Sequence, residues 1–232
     1  MIDFLNTSAV WGTALTLAAF ALGTFLQRKT NAAWCNPLLW GSIFVIIVLS
    51  VLEIPYPDYK ASASVLSYLL FPATVSLAVP LYEQWELLKK NVLAILAGIA
   101  AGVVTSLGSI LLLAWLFRLD GACAVSLLPK SVTTAIGVDV STELGGIPAL
   151  TTAVIILTGI TGNLLAVSLC KFLGITNPIA RGIAIGTSSH AVGTSKALEI
   201  GQVEGAMSSL SIAVAGILTA VLCPMVVQLL PL

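Results

Sequence analysis

Apolar residues run through this chain in long blocks, and the charges fall between the blocks. Six stretches contain no Asp, Glu, Lys or Arg: residues 9–27, 34–52, 62–82, 91–117, 147–170 and 205–232. Each is long enough for a helix crossing a ~30 Å hydrocarbon core, which takes roughly 20 residues. The pattern predicts an all-α polytopic membrane protein with about six transmembrane helices. Two polar segments, 120–146 and 177–204, interrupt it and carry charge where a bilayer tolerates little.

These two segments repeat one another. Thr134-Ala135-Ile136-Gly137 and Glu143-Leu144-Gly145 match His190-Ala191-Val192-Gly193 and Glu199-Ile200-Gly201 at a constant spacing of 56. After one inserted residue the match resumes, with Ala149 against Ala206, Thr151-Thr152 against Ser208-Ser209, and Gly159-Ile160 against Gly216-Ile217. A duplicated, glycine-bearing polar interruption in apolar sequence points to a transporter's substrate site. The expected domains are a four-helix region, 1–119, and a duplicated hairpin-plus-helix core, 120–232, with repeats at about 120–176 and 177–232.

Loop charges set orientation through the positive-inside rule. Arg28-Lys29 and Lys89-Lys90 place their loops in the cytoplasm, with the 53–60 loop and Arg118 outside. A full crossing by 120–146 would leave Lys171 and Arg181 outside. A re-entrant hairpin there keeps them inside, which the rule prefers. The second segment then enters from the cytoplasm and the two repeats point opposite ways. Broken helices that do cross, giving eight spans, are the alternative. Pro72 and Pro80 either bend the third span or end it.

Composition agrees with the membrane reading. Hydrophobic residues make up 58% and charged residues 9%, with a mean hydropathy of +1.07. Soluble domains carry about 25% charged residues. Ten basic and ten acidic residues cancel, which speaks against a nucleic-acid partner. Only Asp3 precedes the first apolar run, so a cleaved signal peptide is not expected. Cys35, Cys123, Cys170 and Cys223 show no metal-ligand spacing and read as buried thiols. No cofactor or metal is expected, and nothing marks any serine near His190 as a nucleophile, so an enzyme is not expected.

The candidate chemistry lies in the repeats. Pro129-Lys130-Ser131-Val132-Thr133-Thr134 joins a helix breaker, one cation and three hydroxyls. Freed backbone N–H groups and hydroxyls beside a lysine make an anion-receptive cup, unless Lys130 snorkels to the surface. Asp139 and Glu143, four apart, share a helix face; they pair with Lys130, carry an ion or proton, or lie in headgroup water. In the second copy, Ser189, His190, Gly193, Thr194 and Lys196 are the substrate-site candidates, with Glu199 the mate of Glu143. His190 titrates near neutrality when unperturbed and is a candidate proton carrier. Ala206, Ser208 and Ser209 read as close-packing residues.

These phrases resemble the LrgB/CidB family of bacterial membrane proteins. The carrying motifs are Pro72-Ala73-Thr74-Val75 with Pro80-Leu81-Tyr82, Leu128-Pro129-Lys130-Ser131, Gly145-Gly146-Ile147-Pro148, Ala180-Arg181-Gly182, Ser189-His190-Ala191-Val192-Gly193-Thr194 and Glu204-Gly205-Ala206-Met207. Two departures stand out: Ala135 where members often have proline, and Lys196 where they often have arginine. The resemblance implies the bacterial inner membrane, a small LrgA/CidA-type partner and a role in murein hydrolase regulation, described as antiholin- or holin-like. It also implies carriage of pyruvate, glycolate or glycerate, since plant relatives look like plastid glycolate/glycerate carriers. The hydroxyl-rich, cationic hairpins favour an ion-coupled carrier of small monocarboxylates over a holin-type regulator. Six spans leave little scaffold, which fits a partner protein or a homo-oligomer in the bilayer.

Overall fold

The computed structural model describes residues 10–30 and 36–229; Asp3, Trp34 and Cys35 lie outside them. The described residues form helices joined by short turns, with no strand among them. The chain divides into two compact units, one ending at Ser76 and the other beginning at Leu77.

In the first unit, α1 (Trp11–Thr30) packs along α2 (Pro37–Val51), and α3 (Tyr56–Ser62) and α4 (Ser64–Ser76) complete it. Small residues allow the approach: a Cβ on Gly23 would lie 2.7 Å from the Pro37 carbonyl oxygen. Thr13 donates to the Ser62 carbonyl at 3.0 Å, and Thr16 and Tyr59 share a 2.7 Å hydroxyl contact. The first two expected spans are less complete than their sequence suggested. α1 has 20 residues but ends in Arg28 and Lys29, and α2 has only 15 described residues.

Among the described residues, four stretches are long and apolar enough to cross a membrane: Ser64–Glu83, Trp85–Phe117, Pro148–Phe172 and Gln202–Val227. The first is interrupted at Leu77, between α4 and α5 (Ala78–Glu83). Pro80 has no N–H for the Ser76 carbonyl and its ring crowds that carbonyl. The interruption is slight, since Leu77 keeps a helical φ of −65° and ψ of −16°, and the stretch ends at Glu83, three residues after Pro80.

The second unit continues with α6 (Trp85–Phe117), which stops at a left-handed Arg118. Then come α7 (Gly121–Leu127), α8 (Thr134–Glu143), α9 (Pro148–Phe172), α10 (Pro178–Ile200) and α11 (Gln202–Val227). Asp120 caps α7 by accepting from the Cys123 amide at 3.3 Å, and Asn177 caps α10 by accepting from Ile179 and Ala180.

Both polar segments double back. Within α10 the helical path breaks at His190, whose φ of 43° and ψ of −142° reverse the chain. The outgoing arm, 178–189, meets α11: a Cβ on Gly182 or Gly186 would lie 2.5 Å from the Glu204 or Ser208 carbonyl oxygen. Both pairs are 22 residues apart, so this arm and α11 run parallel, with the returning arm reversed between them. A straight 23-residue helix would be about 34 Å long and could not bring both ends to Glu204–Gly205.

The first copy closes the same way. Ser126 and Ile147, the repeat mates of Gly182 and Glu204, meet where the Ile147 amide donates to the Ser126 hydroxyl at 2.7 Å. A Cβ on Gly137 would lie 3.2 Å from the Pro129 carbonyl oxygen; a Cβ on its mate Gly193 would lie 3.2 Å from that of Ile185.

The repeats are inverted and interlocked. Gly159 of α9 lies against His190 and Val192, while its mate Gly216 of α11 lies against Ile136, the mate of Val192. Asn163, one turn further along α9, donates to the Val192 carbonyl at 2.8 Å and to Ser195 at 3.2 Å. α9 thus runs with the returning arm of the second hairpin, opposite to α11. α9 packs on the second copy's hairpin, whereas α11 packs mainly on its own hairpin and touches the first copy's at Ile136.

Candidate functional site

α6 lines a cavity with the outgoing arm of the second hairpin. Gly98 and Gly102 approach Ile183 and Thr187, so these two helices run parallel along it. The cavity is about 760 Å³ and extends from Asn91 and the exposed Asn177 to Ser106, Ser109, Lys130 and Ser131. That volume lies within the range of small-molecule sites, roughly 300–1,000 Å³. On the other face of α6, Leu107, Ile110 and Ala114 are buried in one cluster with Ala124, Val125 and Leu128, while Thr105 and Ser109 stay exposed along the cavity.

Lys130 sits at the Ser106 end of the cavity, on the turn between α7 and α8. Its Nζ donates to Ser131 at 3.2 Å and Ser106 at 3.3 Å, and the two hydroxyls lie 3.0 Å apart. The ion pairs among the described residues are Lys89–Glu86, Arg181–Glu204 and Lys196–Glu199. Lys130 therefore has hydroxyl neighbours and no carboxylate. A lysine at the centre of a membrane-spanning helix costs about 2.5–3.5 kcal/mol on insertion scales, and a partly buried one between apolar helices carries some of that cost. An anion beside it would lower that cost.

Of the substrate-site residues expected from sequence, Lys130 and Ser131 reach the cavity. Thr133 precedes the first helical residue of α8, and Thr134 opens that helix with its side chain exposed. Ser189, His190, Gly193 and Thr194 are buried inside the second hairpin and line none of the cavity. His190 Nε2 donates to the Ile155 carbonyl at 3.0 Å. Thr194 donates to the His190 carbonyl at 2.9 Å and touches the Ser208 hydroxyl at 2.7 Å. These bonds tie the turn to α9 and the returning arm to α11.

The charged candidates are dispersed. Lys196 pairs locally with Glu199 at 2.7 Å, and Asp139 and Glu143 are exposed on α8. Among the described residues no group of His, Cys, Asp and Glu has a metal-binding arrangement. Ala206, Ser208 and Ser209 are buried, as their small size suggested. Sequence reasoning left out Asn91, Thr105, Ser106 and Ser109, which line the cavity; Thr187 and Ser188, noted from sequence only as hydroxyls of the second polar segment, line it too. It also missed the Arg181–Glu204 pair, 3.4 Å apart, in which Arg181 further donates to the Ile175 carbonyl.

A fold of inverted, interlocked hairpins and long apolar helices defines an all-α membrane protein. Residues 16–229 match the LrgB-like family, and the chain belongs to that family. It is 37% identical over 224 residues to the antiholin-like protein LrgB of Bacillus subtilis (strain 168), covering 96% of this chain and 97% of that protein. It is also 35% identical over 215 residues to the uncharacterized protein YxaC of the same organism, covering 93% and 94%. No solved structure matches the chain.

Proposed function

We propose that this chain is a carrier of small monocarboxylates of the pyruvate, glycolate or glycerate class, working in the bacterial cell membrane with a small LrgA/CidA-type partner. One observation carries the reading: Lys130, without a carboxylate neighbour among the described residues, faces a cavity large enough for such an anion. The inverted repeat supports it, because two equivalent hairpins from opposite faces supply two equivalent ways to expose one site. Proton or ion coupling is proposed at His190, with Glu143, Glu199 and Asp139 as the further candidates.

A second reading, an antiholin-like regulator of murein hydrolase activity and lysis, is favoured by the name of the Bacillus subtilis relative. That name speaks for the regulator and says nothing of a carboxylate. The test is uptake of labelled pyruvate, glycolate, glycerate and lactate by transport-deficient cells carrying the chain, with and without an LrgA-type partner. Saturable uptake lost in Lys130→Ala at equal expression supports the carrier. Altered lysis with no saturable uptake in either setting leaves the regulator.

A further inference from the structure

The cavity presents two different hydrogen-bonding surfaces. Beside Ser106, the Lys130 ammonium has three N–H donors, of which Ser106 and Ser131 accept two. The Ser106–Ser131 contact uses one hydroxyl proton, and the other hydroxyl keeps its own. One N–H and one O–H are thus left uncommitted in this three-residue cluster, as many donors as one carboxylate has oxygens.

Thr187, on the outgoing arm of the second hairpin, faces the same space with the opposite character. Its hydroxyl donates to the Ile183 carbonyl at 2.8 Å, so only its lone pairs are free to meet a ligand. A Cβ on Gly102 would lie 2.9 Å from Thr187 Oγ1, which places this acceptor against α6 at Gly102. Ser106 is one turn further along α6, about 6 Å away. Ser106, Ser131 and Thr187 also line a second, smaller void together.

Resting on the carrier reading above, we propose that α6 completes the substrate site. Ser106 joins Lys130 and Ser131 on the carboxylate, and Thr187 accepts the proton of the neighbouring hydroxyl of a 2-hydroxy acid. A 2-oxo acid brings only lone pairs to that position. Thr187 can meet it only by giving up its bond to Ile183.

The experiment uses the purified full chain in liposomes, with and without an LrgA-type partner, and labelled lactate and pyruvate as probes. Wild type is expected to prefer lactate by about tenfold or more in kcat/KM, since a site built to bond a hydroxyl rejects its analogue strongly. Thr187→Val, which keeps the side-chain shape, should erase the preference by a loss on lactate alone. Ser106→Ala should lower both substrates alike by about tenfold, and Ser106→Thr should restore both. If Ser106→Ala does not elute as a monodisperse protein, Ser106→Cys replaces it. Equal losses on both substrates in Thr187→Val, or a Ser106 variant without hydroxyl at wild-type rates, overturn the proposal while leaving the carrier standing. Wild type that takes up neither probe overturns both.

Discussion

The amide of Ile147 donates a 2.7 Å hydrogen bond to the hydroxyl of Ser126, although 21 residues separate them. A continuous helix would hold them about 30 Å apart. The bond closes the base of the first hairpin at the point where Gly182 and Glu204 close the second. One copy uses a side-chain hydroxyl and the other a bare glycine against backbone. The duplicated segment therefore keeps its fold while its chemistry has diverged.

Ser126→Val should weaken the first hairpin. The substitution leaves the Ile147 amide without its acceptor; Ile147 is 43% exposed, so the loss is expected near the lower end of the about 1–3 kcal/mol that an unsatisfied buried donor costs. Ser126→Thr keeps the hydroxyl and should cost less. Unfolding in detergent, followed by circular dichroism, gives the order; equal loss in both variants would mean that bulk, not the bond, matters at this position.

The second hairpin holds a charge pair at the corresponding place. Arg181 and Glu204 lie 3.4 Å apart, with side-chain exposures of 27% and 9%. Removing one partner of a buried pair costs about 3–5 kcal/mol, and the partial exposure of Arg181 brings the expected loss nearer 2–3 kcal/mol. Glu204→Leu should thus melt well below wild type. The double variant Arg181→Met with Glu204→Leu should recover part of the loss, because neither charge is then left alone. A double variant no better than Glu204→Leu would show that the two residues are not coupled.

Much of this architecture was legible because the repeat is written in residue types. The 56-residue spacing paired Gly137 with Gly193, and the structure places both against the carbonyl of the opposite arm. Lys130 and Ser131 could be singled out because a cation beside a proline is costly within an apolar chain. Ser106 could not, since a serine in an apolar helix meets its own needs by bonding to the backbone or to a neighbour. One signal was available: Gly98, Gly102 and Ser106 are small and four apart, which marks one face of α6 for close approach. The Arg181–Glu204 pair was hidden for another reason, because 23 residues of sequence become a contact only once the hairpin is folded.

Lys130 separates the anion-site role from a snorkelling one. Lys130→Met keeps the length of the stem and removes the charge. With an anion site, uptake should fall by about a hundredfold or more while the melting temperature holds or rises, because a costly buried cation has gone. Lys130→Arg should retain part of the uptake. A lower melting temperature with uptake intact would assign Lys130 to anchoring the turn.

His190 combines two opposing features at one turn. Its φ of 43° with ψ of −142° is a conformation that glycine adopts freely and other residues do not, at a cost of about 1–3 kcal/mol. Against that cost stands its ring, buried and donating to the Ile155 carbonyl at 3.0 Å. Alanine loses the ring and keeps the strain, whereas glycine loses the ring and relieves it. His190→Gly is therefore expected to be more stable than His190→Ala by about 1–2 kcal/mol, with both below wild type. Transport read on the same two proteins then separates geometry from chemistry. If the ring only sets the turn, activity should follow stability and be higher in the glycine variant. If the imidazole carries a proton, both variants should lose proton-driven uptake equally while keeping exchange of labelled for unlabelled substrate, whatever their melting temperatures.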